Sequence, residues 1–138
     1  MSDFTLSIGA DMDARKIVET GLKQFNVNAI GPYAYQNFEL YARSDDSAVV
    51  AGMFGQSGMD WLYVDFFWIS DDLRGAGLGS RMLAEAEAEA KRRQCVGVYL
   101  YTYSFQAQGF YEKCGFSVMG VLEDCPVGHR KVYLSKRL

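Results

Sequence analysis

Hydrophobic positions recur along the chain with two different periods, which predicts a protein built from both helices and strands. Apolar residues at Ile17, Val18, Leu22 and Phe25 follow helical spacing and predict a helix over residues 13–26, with Asp13 as its N-cap. A stretch rich in alanine and glutamate predicts a second helix that ends near residue 93. A short third helix is predicted within residues 104–115.

Runs of β-branched and aromatic residues, bounded by turn residues, predict strands at residues 4–10, 37–43, 47–55, 61–70, 95–102, 116–122 and 130–138. The run WLYVDFFWIS at 61–70 is almost wholly apolar, which predicts a central strand buried on both faces. The order is β-α-β-β-β-α-β-α-β-β. It predicts an α/β fold with a mixed sheet, formed by one domain that spans residues 1–138.

Composition narrows the function classes without naming one. The net charge is −3 with a pI near 5.1, which does not favour nucleic-acid binding. No apolar run approaches the roughly 20 residues that span a bilayer, and the N-terminus lacks the features of a secretory signal. Three cysteines without a Cys-x-x-Cys pair favour reduced thiols and no metal site. A cytoplasmic protein with no membrane partner is therefore expected.

Three glycines, Gly75, Gly77 and Gly79, lie between the predicted central strand and the second helix. A glycine-rich turn at a helix N-terminus presents several backbone N–H groups and the positive end of the helix dipole, which suits phosphate oxygens. The alternative is a turn that serves only tight packing of strand and helix. Neither nucleotide motif fits, because the P-loop lysine is missing and Ser80 stands where a dinucleotide fingerprint needs its last glycine.

Two motifs in order carry a family resemblance. RGAGLG, from Arg74 to Gly79, matches the pattern Arg/Gln-x-x-Gly-x-Gly/Ala directly after a central strand. SFQAQGFYEKCGF, from Ser104 to Phe116, matches Asn-x-x-Ala-x-x-x-Tyr-Glu-Lys-x-Gly-Phe at every position except the first. The chain therefore resembles the GNAT superfamily of coenzyme-A-dependent N-acetyltransferases. The resemblance implies the GNAT-type acyl-CoA N-acyltransferase fold and acetyl-CoA as the acetyl donor.

The resemblance also implies where the coenzyme binds. The pyrophosphate is expected on the backbone of the loop formed by Arg74, Gly75, Ala76, Gly77, Leu78, Gly79 and Ser80. Ser104 stands where the family has an asparagine that contacts the coenzyme, and a serine hydroxyl can also donate a hydrogen bond. The amide of Phe67 or of Ile69 is expected to polarise the thioester carbonyl as an oxyanion donor.

Acetyl transfer to an amine requires groups that handle two protons. The resemblance implies that Tyr111 protonates the leaving thiolate, the alternative being a tyrosine that only fills the core. Asp65 is a candidate base or amine anchor, because a carboxylate in an apolar strand needs a partner; a structural ion pair is the alternative. A period of two would place Asp65 on one face with Tyr63, Phe67 and Ile69. His129 and a water relay remain further candidates for the base.

The function that these observations predict is transfer of the acetyl group of acetyl-CoA to a primary amine by direct attack. A small-molecule amine is the expected substrate, since the net negative charge does not suit a tRNA. Acetylation of a protein or peptide amine and a non-catalytic acyl-CoA-binding module remain open. A homodimer is also possible, since dimers are common among proteins that this chain resembles.

Overall fold

The computed structural model describes residues 3–138. They form two compact units, and the boundary between them in the sequence lies between Tyr33 and Ala34. The first unit contains the helix α1, Met12–Ile30. Its N-cap is Asp11, whose carboxylate accepts a hydrogen bond of 3.0 Å from the Ala14 N–H, so the prediction of Asp13 as the cap is wrong. Whether the whole chain is a single domain stays a prediction.

The strand predicted at residues 4–10 is not formed. Residues 3–10 have neither helical nor strand structure, and no backbone hydrogen bond of these residues is found within residues 3–138. A strand exists only through hydrogen bonds to a neighbouring strand, so an apolar run without such a neighbour stays irregular.

The second unit is a six-stranded sheet with two helices. Its strands are β1 Gln36–Arg43, β2 Val49–Gly58, β3 Trp61–Ile69, β4 Gly97–Tyr103, β5 Ser117–Glu123 and β6 Arg130–Arg137. The helices are α2, Leu78–Arg92, and α3, Gln108–Lys113. The strand order is β1-β2-β3-β4-β6-β5, and every neighbouring pair is antiparallel except β3 and β4, which are parallel. The predicted α/β fold with a mixed sheet is confirmed.

The core lies on the sheet face that α2 and α3 cover. From α2 it takes Met82, Leu83, Ala86 and Ala90, and from the sheet it takes buried residues that include Leu62, Val64, Val98, Leu100 and Leu134. The opposite face of β3 is more open, because Phe66 is 56% exposed and Trp68 is 53% exposed. The prediction that this strand is buried on both faces is therefore wrong.

A β-bulge interrupts β3 at Asp65. Phe54 of β2 pairs with Phe66, but the next residue, Gly55, pairs with Val64, so Asp65 is an extra residue without a partner. Because of this extra residue, Phe67 packs against the core, whereas Tyr63 stacks on the other face. The predicted common face for Tyr63, Asp65, Phe67 and Ile69 is therefore wrong.

The two parallel strands separate just where the bulge occurs. β3 and β4 pair from Trp61 and Gly97 as far as Val64 and Leu100, and no further. β3 then continues to Ile69 and β4 to Tyr103 without pairing to each other. A gap in the middle of the sheet results, and its two edges carry unpaired backbone groups.

Candidate active site

A cavity of about 800 Å³ occupies the gap between β3 and β4. Its walls come from both strands, from the loop that follows β3, and from α3. Most of the residues predicted from the sequence line it, namely Asp65, Phe67, Ile69, Arg74, Gly75, Gly77, Gly79, Ser80 and Tyr111. Ala76, Leu78 and Ser104 do not line it. The structure therefore brings together residues that are up to 46 positions apart in the chain.

The loop between β3 and α2 and the first turn of α2 present a row of free backbone donors. Among residues 3–138, no oxygen accepts a hydrogen bond from the N–H groups of residues 75–80; the first one paired is that of Arg81, with the Gly77 carbonyl at 3.2 Å. Gly75 and Gly77 have φ angles of 82° and 84°, a left-handed conformation that favours glycine. Together with the positive end of the α2 dipole, this arrangement suits an anion such as a phosphate group.

Gly79 has a different role from the other two glycines. A Cβ atom at Gly79 would lie 2.9 Å from Cζ of Phe110 and 3.2 Å from Cδ1 of Ile69. At Gly75 and Gly77 it would meet nothing within 4 Å. The packing interpretation of the glycine stretch therefore holds at Gly79, while the backbone conformation explains the other two.

Arg74 fixes the loop to the end of β3. Its Nε donates a hydrogen bond of 3.1 Å to the Ile69 carbonyl, and its guanidinium lies 3.3 Å from the Asp71 carboxylate. Because Arg74 and Asp71 are both exposed, their ion pair adds little to the stability of the protein. Its effect is to hold the loop in position.

The backbone direction of β3 can be followed from one hydrogen bond. The Ser70 N–H donates to the Val50 carbonyl at 2.9 Å, toward the β2 side. Successive N–H groups of a strand point to opposite edges, so those of Phe67 and Ile69 point away from β2 and into the gap. Both amides that the sequence offered as alternatives are thus available to a carbonyl oxygen in the cavity.

Tyr111 reaches the cavity from α3 and also belongs to the core. Its side chain is 8% exposed, and its ring lies 6.5 Å from that of Phe67 and 6.2 Å from that of Phe116. Burial raises the pKa of Tyr111 to about 12, and nearby Cys114 adds to this effect. The hydroxyl therefore keeps its proton at neutral pH.

Asp65 lies at the bulge and borders two cavities. It lines the large cavity and a second one of about 220 Å³, which Phe54, Gly55, Gln56 and Tyr63 complete. The Tyr63 hydroxyl lies 3.4 Å from its carboxylate, and burial together with the Asp65 charge raises the pKa of Tyr63 well above its ordinary value. Within residues 3–138, no basic side chain lies within salt-bridge distance of Asp65. The structural ion pair considered from the sequence is thus not formed there.

Gly55 shapes the site through the bulge, and the sequence did not predict it. A Cβ atom there would lie 1.9 Å from the Tyr63 carbonyl oxygen and 3.0 Å from the Asp65 nitrogen, so the bulge requires glycine on the facing strand. The available signal was a glycine at the end of the strand predicted at residues 47–55, since glycine in a strand pattern is typical of a bulge or a close backbone approach.

Ser104 and His129 lie outside the walls of the large cavity. The Ser104 hydroxyl accepts a 2.9 Å hydrogen bond from the Arg130 N–H, and the Ser104 N–H donates to the Arg130 carbonyl at 2.8 Å. This pair of bonds joins the end of β4 to the start of β6. His129 is exposed in the β5–β6 turn and packs edge-on against Phe105, with ring centroids 5.1 Å apart.

Residues 3–138 contain no cluster of three or more side chains that could hold a metal ion. None of the helices described is long and apolar enough to cross a membrane.

Comparison with known proteins gives consistent matches. Residues 16–116 match the family model described as the Acetyltransferase (GNAT) family. The chain is 33% identical over 135 residues to an acetyltransferase of Agrobacterium fabrum, covering 98% of each. It is 37% identical over 102 residues to the blasticidin-S acetyltransferase of Streptomyces morookaense, covering 73% of this chain and 75% of that protein. A crystal structure of an acetyltransferase from Bacillus cereus has a TM-score of 0.89 at 29% identity and covers 98% of each chain.

Proposed function

The chain belongs to the GNAT family of acetyltransferases, and from this membership we propose that it transfers the acetyl group of acetyl-CoA to the primary amine of a small molecule. The observation that carries the proposal is the gap between β3 and β4, which has an anion-binding loop beside it and both proton-handling candidates in its walls.

The donor side of the cavity suits coenzyme A. The N–H groups of residues 75–80 would bind the pyrophosphate, because they are free and lie at the N-terminus of α2. The unpaired edge of β3 would hydrogen-bond the pantetheine arm, as an extended ligand does at a sheet edge. The amides of Phe67 and Ile69 would stabilise the negative charge that develops on the thioester oxygen.

Asp65 and Tyr111 would handle the two protons. An alkyl ammonium has a pKa near 10.4, so it must lose a proton before its nitrogen can attack, and the Asp65 carboxylate, which lines the cavity, would accept that proton. The departing thiolate needs a proton in return, and the Tyr111 phenol still holds one at neutral pH. The amine nitrogen forms the new bond to the acetyl carbon as the carbon–sulfur bond breaks, in a single ternary complex.

The first test is thermal unfolding of the purified protein with acetyl-CoA, desulfo-CoA, NAD or ATP. A ligand at about 100 times its dissociation constant stabilises a protein by about 2.7 kcal/mol. Stabilisation by the two coenzyme A compounds alone supports the proposal, and release of free thiol with a panel of amines then measures turnover. Stabilisation by NAD or ATP, or by none of the four, would contradict it.

A further inference from the structure

The sheet face opposite α2 and α3 carries two groups of rings on either side of the gap, which together we call the aromatic face: Tyr63, Phe66, Trp68, Tyr101, Tyr103, Phe105 and Tyr133. On the β4 side neighbouring rings are in contact distance, with centroids 5.7 Å apart for Tyr101 and Tyr103 and 5.3 Å apart for Tyr103 and Phe105. Five of the seven also line the large cavity. The cavity therefore has an aromatic wall on the side away from the helices.

Several of these rings are exposed although they are large and apolar. Phe66 is 56% exposed, Trp68 is 53% exposed and Phe105 is 55% exposed. Each of them lines the cavity. Exposed aromatic side chains gathered at one cavity favour a ligand with a flat, apolar body.

The charges on this side are few and opposite in sign. Asp65 is the one acidic residue among the residues that line either cavity. The Lys131 ammonium lies 4.0 Å from the centroid of the Tyr101 ring and 5.2 Å from that of Tyr133. Burial is the largest cause that raises the pKa of Tyr101. Both charges act on the same phenol, since Asp65 raises this pKa further and Lys131 lowers it.

Neither charge is neutralised by the protein. Within residues 3–138, Asp65 has no basic partner and Lys131 has no acidic partner within salt-bridge distance. One free carboxylate suits a ligand with a single ammonium group, because a polycationic amine would require several acidic groups. The Lys131 ammonium lies over the Tyr101 ring, which lines the large cavity, and it suits a carboxylate on the same ligand.

We propose that the aromatic face is the acceptor subsite and that the acceptor is an aromatic amino acid, whose amine lies at Asp65 and whose carboxylate lies at Lys131. This inference rests on the proposed function, since it names the substrate class of the same site. Lys131 acts here as a specificity-determining residue for the carboxylate.

The test compares two ligands that differ only in the carboxylate, L-phenylalanine and 2-phenylethylamine. Calorimetric titration into the protein loaded with coenzyme A measures binding without turnover. L-phenylalanine is expected to bind about tenfold more tightly, as one charge-assisted contact would give. Lys131→Gln should remove this difference and Lys131→Arg should retain it. Lys91→Gln, an exposed site on α2, controls for loss of a positive charge.

Each other result has a definite meaning. Equal or tighter binding of 2-phenylethylamine or of spermidine overturns the inference, and so does a preference for L-phenylalanine that survives in Lys131→Gln. If coenzyme A binds but L-phenylalanine does not, the inference fails and the proposed function stands. If coenzyme A itself does not bind to the wild-type protein, the proposed function fails first. Unchanged coenzyme A affinity in Lys131→Gln shows that this variant is folded.

Discussion

The buried hydroxyl of Tyr111 makes the stability of the protein depend on pH in a way that one substitution removes. Burial raises the pKa of Tyr111 from 10.0 to about 12, so in the folded state this group keeps a proton that the unfolded chain releases above pH 10. The contribution of the Tyr111 hydroxyl to the free energy of unfolding is therefore fully present below pH 10 and is lost as the pH rises toward 12. From the folded and unfolded pKa values of Tyr111, the free energy of unfolding at pH 11 is about 1.4 kcal/mol lower than at pH 8.

Tyr111→Phe keeps the ring and removes the titrating group. Urea unfolding at pH 8 and at pH 11 gives the free energy of unfolding of the wild type and of the variant. The result is how much more of this free energy the wild type loses than the variant when the pH is raised from 8 to 11. We expect the wild type to lose about 1.4 kcal/mol more than the variant between these two pH values. The other tyrosines are common to both proteins and cancel in the comparison. A parallel loss in both proteins would refute the reasoning, because the hydroxyl would then titrate as it does in water.

Further predictions concern the loop, the bulge and the base. Gly77→Glu should abolish binding of acetyl-CoA in calorimetry, because it adds negative charge and a side chain at a positive φ, while Gly21→Glu in α1 should bind normally. Gly55→Ala should lower the free energy of unfolding by about 1–3 kcal/mol through overpacking of the bulge, and an unchanged stability would mean that the bulge does not need glycine. Asp65→Asn should lower the rate of thiol release by about 10²-fold or more, whereas His129→Gln should leave it within about twofold; the reverse ranking would exchange their roles.

The sequence predicted the fold class and nine of the residues that line the cavity because those features depend on local patterns. Residues 74–80 form the predicted loop and the first turn of the predicted second helix, and Tyr111 lies in the predicted short helix. These patterns are set by nearby residues, such as glycines that take up a positive φ before a helix. A chain segment with such a pattern forms the same local structure with little help from the rest of the molecule.

The features that the sequence did not predict depend on a partner strand. The period of two failed in β3 because the bulge at Asp65 arises from the absence of a side chain at Gly55, on a different strand. The apolar run at residues 4–10 met the requirements for a strand but has no neighbour to pair with. The hydroxyl of Ser104 is engaged with Arg130, which lies 26 positions away in the chain. None of these pairings can be recognised from one segment alone.

The central claim is that acetyl-CoA binds at the gap between β3 and β4, with its pyrophosphate on the amides of residues 75–80. Amide NMR spectra of the isotope-labelled protein, recorded during titration with acetyl-CoA, test this claim most directly. The account predicts that the signals of residues 75–80, with those of Phe67 and Ile69, shift together at one dissociation constant and do not shift with NAD. Signals of those residues that stay in place while others move, or a spectrum that acetyl-CoA leaves unchanged, would contradict it.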